Sequence, residues 1–258
     1  MTAMRQNNAG QRFQERAVNR MMKEKAGNVF SIYDENRPVP GCTISKAVSS
    51  ISKAVSSGEG ADISYFSIAE GTDISAESYA YPKLWIAAGG RMRAFTKPLQ
   101  KESGTDQAAA TVQPLEQGQM YITPVNVPVG IQADTDSVYT EISLREDTRM
   151  NKVLKAGNVF ALKDLLPYQE GKIVNMDLIN EPDLKFVIMS FDKGTGLAEH
   201  AAPGEALIFA LDGEAVIGYE GKEHRIHAGE NFKFDKQGRH SVTADHKFKM
   251  ALLLQLEK

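Results

Sequence analysis

KAGNVF at residues 25–30 returns unchanged at residues 155–160. A hexapeptide repeated at an offset of 130 residues points to two halves of common origin, and such a repeat has to be settled before any local pattern. Gly41 and Gly171 keep the same offset, whereas SIAEGT from Ser67 aligns with SFDKGT from Ser190, and Gly90 with Gly213, at an offset of 123. The first half has therefore gained seven residues between Gly41 and Ser67, the length of one unit of the tandem heptad ISKAVSSISKAVSS at 44–57. Gly118 and Gly229 lie 111 apart, which assigns twelve further residues to the polar excursion KESGTDQAAATVQPLEQ at 101–117.

The heptad pair places Ile44, Ala47, Val48, Ile51, Ala54 and Val55 at helical spacing. A coiled-coil seam needs about three or four heptads with charged flanks, so we assign one copy to a strand instead. Its counterpart in the second half, IVNMDLINEPDLKFVIMSF, reads as two strands joined by a turn at Glu181, Pro182 and Asp183. A seven-residue insert inside a strand would turn every inward side chain outward, so the spare copy is expected to loop out.

KFVIMSFD, EALIFALDGEAVIGYEG, KEHRIHAGENFKFD and FKMALLLQLE are short, rich in β-branched and aromatic residues, and separated by Gly, Asp-Gly or Glu-Gly turns. That pattern predicts antiparallel strands, and DISYFSIAEG, KLWIAAGGRMRAF and QMYITPVNVPVGIQA repeat it in the first half. Residues 1–28, with FQERAVNRMMKEK, predict a helical extension.

A chain of 258 residues suits two domains of roughly 100 to 130 residues. Its formal charge of −3 is spread without basic runs, which argues against nucleic acid. Cys42 is the sole cysteine, so an intrachain disulfide is excluded and a reducing compartment is expected. No stretch approaches the roughly 20 apolar residues that span a bilayer, and the expectation is a cytoplasmic protein with no membrane partner.

Gly194, His200, Ala202, Ala206 and Gly213, followed by Gly229, Asp235, Gln237 and His240, stand at the intervals of the two cupin motifs. Gly71, Glu77, Tyr79, Lys83 and Gly90, then Gly118, Pro124, Asn126 and Val129, occupy the same frame in the first half. The chain thus resembles a bicupin, and its second half is similar to bacterial cupins carrying EHxAPG(D/E)A. The resemblance implies an all-β fold of two tandem cupin domains, each a jelly-roll β-barrel, at 29–145 and 156–258, packed face to face.

Cupin enzymes generally hold a divalent metal through three imidazoles and a carboxylate. Against that pattern His200 and His240 supply two imidazoles, Ala202 and Ala206 supply nothing, and none of the family's histidines remains in the first half. Glu205 is one position before the carboxylate site, where a regular strand directs it to the opposite face. No cofactor is therefore expected; if a divalent metal binds at all, it binds at His200 and His240. The bland reading makes the two histidines hydrogen-bonding groups lining a barrel mouth. His224, His227 and His246 are expected at the surface, and Trp85 in the core or the pocket wall.

Two functions remain. One is binding of a compact sugar- or carboxylate-like ligand by pocket residues His200, His240, Glu205, Ala202, Ala206, Glu77, Tyr79 and Lys83, with Glu77 and Lys83 as a candidate ion pair. The other is a metal-dependent isomerase, lyase or dioxygenase in the second barrel. The direction of the Glu205 side chain separates them. A homodimer is open on the sequence.

Overall fold

A computed structural model describes residues 24–49, 62–97 and 110–256. Among these are nineteen strands, one short helix and one 3-10 turn, so the described residues are nearly all β, as expected. The second heptad copy lies outside the described residues. Of the expected N-terminal helical extension only 24–28 are described, and these are not helical.

The two halves repeat one strand order. In the first, the large sheet runs Val159–Ala161, Gln119–Ile122, Lys83–Gly89, Ser137–Ser143, Asp62–Ile68 and Thr43–Ser49. In the second, it runs Val29–Phe30, Asn231–Phe234, Glu205–Tyr219, Phe248–Gln255, Leu184–Phe191 and Ile173–Asn180. The edge strand Thr43–Ser49 carries the first heptad copy, and its register shifts between Ala47 and Ser49. The edge strand Ile173–Asn180 shifts at the matching place, between Asp177 and Ile179. The turn expected at Glu181–Asp183 is present, with Glu181 N donating to Leu184 O.

One feature of this order has no local sequence signature. The strand that leads the first half, Val29–Phe30, pairs with Asn231–Phe234 of the second, and the strand that leads the second, Val159–Ala161, pairs with Gln119–Ile122 of the first. Each half thus contributes its leading strand to the other. The residues that follow, Ile32 of the helix Ile32–Glu35 and Leu162 of the 3-10 turn, are both buried in a core shared by the halves.

Strand alternation builds that core. Leu84 and Ile86 of the first half and Leu207 and Phe209 of the second face it, while Trp85, Ala87, Ile208 and Ala210 face the two barrel interiors. Strands buried on both faces read as nearly continuous apolar runs, which is why KLWIAAG and EALIFAL lack a clean alternation. The long strand Glu205–Tyr219 passes from the large sheet into a second one, where it pairs with Lys222–His227 and Arg239–Ala244. Gly213 makes this passage possible: its φ is +71°, and a Cβ there would lie 1.9 Å from Lys247 O. Gly90 does the same for the first half, at φ +81° and 2.2 Å from Asp136 O.

Candidate functional site

In the second half, Thr195–Ala201 pairs with Arg239–Ala244, and the register sets His200 opposite His240. Their ring centroids are 4.2 Å apart. His200 Nδ1 lies 2.9 Å from Ala198 O and His240 Nδ1 3.1 Å from Gly238 O. A carbonyl only accepts, so in each neutral imidazole Nδ1–H is the donor and Nε2 is left as an acceptor. His240 also stacks on Phe234 at 4.0 Å and is only 7% exposed. Burial holds it below the usual imidazole range; the Gly238 hydrogen bond partly offsets this, and neighbouring His200 lowers it further.

The remaining positions bring no donor to this pair. Ala202 and Ala206 are buried in the apolar interior, at 1% and 2% exposure. Glu205 shares its parity with Leu207 and Phe209 and so faces the other side of the sheet. Its Oε2 is 3.3 Å from Lys233 Nζ, which also meets Asp235 Oδ1 at 3.0 Å. Among the described residues no group of three or more His, Cys, Asp or Glu side chains is placed to hold a metal. The residues present do not fit a shell of three imidazoles and a carboxylate. His227 and His246 are exposed around Glu214, at 3.4 and 2.9 Å, as expected for surface residues. His224 instead packs its ring 5.2 Å from that of Phe232.

The first half carries a different constellation in the same place. Lys83 has the parity of Trp85 and Ala87 and points inward. Its Nζ pairs with Glu141 Oε1 at 2.7 Å, and Trp85 Nε1 donates to Glu141 Oε2 at 2.9 Å. The same ammonium lies 4.0 Å from the Tyr79 ring centroid, and Tyr79 OH reaches Glu77 Oε2 at 3.5 Å. Phe66 and Tyr139 stack at 5.0 Å beside them. Burial drives the Tyr79 hydroxyl well above the usual phenol range, with Glu141 and then Glu77 adding to it. Tyr139 is raised by burial first and Glu141 second.

The expected partner of Lys83 was Glu77, but the structure gives it Glu141. Glu141 was missed because its strand, SVYTEIS, pairs across the sheet, and only the register places it opposite Trp85. A signal did exist: at the repeat offset of 111 the matching residue is Leu252, so a carboxylate had replaced an apolar side chain. A separate cleft of about 150 Å³ opens between the halves along Ile86–Ala88 and Phe209–Leu211, and none of the expected ligand residues lines it.

Residues 187–255 match the family model described as Cupin domain. No curated protein matches the chain. Among solved structures, it is similar to a Cupin 2 conserved barrel domain protein from Leptotrichia buccalis, with 25% identity, 91% of this chain and 99% of that one covered, and a TM-score of 0.71. Salicylate 1,2-dioxygenase from Pseudoaminobacter salicylatoxidans matches at 10% identity over 76% of this chain and 68% of its own, with a TM-score of 0.50. At that identity the likeness concerns the fold alone. The matched domain and the shared fold together support placing residues 187–255 in the cupin superfamily.

Proposed function

We propose that the protein is a bicupin, with domains at 29–145 and 156–258, that binds a compact sugar- or carboxylate-like molecule in a barrel interior without a tightly bound catalytic metal. One observation carries the reading: His200 and His240 stand as a pair, with buried alanines where further ligands belong and Glu205 turned to Lys233. Two imidazoles with acceptor Nε2 atoms can take hydrogen bonds from ligand hydroxyls, but they form a weak site for iron or manganese. Aromatic walls with a few polar groups are the usual lining of a small-ligand pocket.

A metal-dependent isomerase, lyase or dioxygenase built on His200 and His240 is the second reading. It is favoured by the Nδ1 hydrogen bonds to backbone carbonyls, an orientation that metal-bound imidazoles also use. A thermal-shift screen of sugars and small carboxylates, run with and without EDTA, separates the two. The proposal expects a ligand-dependent rise in Tm that EDTA leaves unchanged. A rise abolished by EDTA and restored by a divalent metal would favour the enzyme.

A further inference from the structure

We infer that ligand recognition resides in the first half, around Lys83, Glu141, Glu77 and Tyr79, and that the ligand is an uncharged polyhydroxylated molecule of the sugar class rather than a carboxylate. This rests on the proposed binding function and names its seat and its chemistry.

Charge comes first. The cluster holds two carboxylates and one ammonium, and Lys83 and Glu141 already neutralise each other at 2.7 Å, with side chains 14% and 9% exposed. A ligand carboxylate would bring a third anion to a single ammonium and compete with Glu141 for the charge of Lys83, in a setting where a poorly compensated buried charge is costly. It would also approach Glu77. A hydroxyl asks for neither exchange. It donates to Glu77, and it accepts from an ammonium that has three protons and spends one on Glu141.

Layout supports the same class. Glu77 is exposed at the rim, Tyr79 is half-buried beneath it, and Lys83 with Glu141 forms the floor. Phe66 and Tyr79, both half-buried, supply the aromatic surface against which the C–H face of a sugar ring packs, with Trp85 and Tyr139 buried behind them. The second half has no such floor: Ala206 stands for Lys83, Ile208 for Trp85, Met250 for Tyr139 and Leu252 for Glu141.

Trp85 is the only tryptophan in the chain, and its indole N–H is bonded to Glu141, so its emission reports on the floor directly. The full-length protein is titrated with glucose, galactose, rhamnose and myo-inositol, and with glucuronate and galacturonate, which add one carboxylate to the first two. The inference expects a saturable Trp85 response to a neutral member, about tenfold tighter than to any uronate. Glu77→Gln at the rim, which leaves the buried pair intact, should weaken binding at least about fivefold, and His246→Ala, at an exposed turn of the second half, should leave it unchanged. Tighter binding of a uronate overturns the inference. So does sugar binding, followed by Tm, that survives Glu77→Gln and Lys83→Met but is lost in His240→Ala; that outcome leaves the proposed function standing. Absence of any Tm or emission response across the panel overturns both.

Discussion

At the floor of the first half Lys83 and Glu141 meet beside Tyr79, whereas the matching positions of the second hold Ala206 and Leu252, and the polar groups nearby are His240, stacked on Phe234, and its neighbour His200. Around these unlike interiors the frame is the same in detail: the strand order, the register shift in the edge strand and the left-handed glycine at the sheet crossing all recur. The frame is set by backbone requirements that few residues meet, so it tolerates little change. Interior side chains are constrained mainly by volume and by the need to satisfy each polar group, so the two interiors can differ.

The largest test of that comparison is to cut it in two. Because each half lends its leading strand to the other and both build one shared core, residues 24–150 and 151–258 expressed separately should show no cooperative unfolding. Co-expression should restore a single transition by circular dichroism. Two independently stable halves would mean that the exchange and the shared core contribute little.

Within the intact chain, Glu141→Leu imposes the second half's residue on the first. It strands the Lys83 ammonium in an interior where losing one partner of a buried pair costs about 3–5 kcal/mol. Adding Lys83→Ala, the other second-half residue, should recover part of that loss in urea denaturation. Gly213→Ala should cost about 3 kcal/mol, since the methyl meets Lys247 O. Gly41→Ala, with φ +73° but open space around it, should cost only about 1 kcal/mol.

The smallest effect is expected from His240. Its folded pKa lies below the ordinary 6.5, so the unfolded state binds the proton more readily, and stability is complete above about pH 6.5 and falls as the pH drops from there toward the folded value. His240→Phe should flatten that slope, measured as urea midpoints between pH 5 and 7.5.

Much of this was legible in the sequence. KAGNVF and the three glycine offsets anticipated the strand order that recurs in the two halves, because insertions leave backbone-critical glycines in place. Two features were hidden. The exchange of Val29–Phe30 and Val159–Ala161 involves strands of two and three residues, too short for any periodicity. Glu141 meets Lys83 only through a register between strands some fifty residues apart. Glu205 divides the expectations: alternation directs it to the far face, where it meets Lys233, so it does not join His200 and His240 as the pocket residue it was also expected to be.

Elemental analysis of untagged protein purified without chelators, alongside His200→Ala and His240→Ala, tests whether the histidine pair holds a resident metal. Substoichiometric metal that neither substitution changes is the expected result. About one equivalent of a transition metal, lost in both variants, would contradict it.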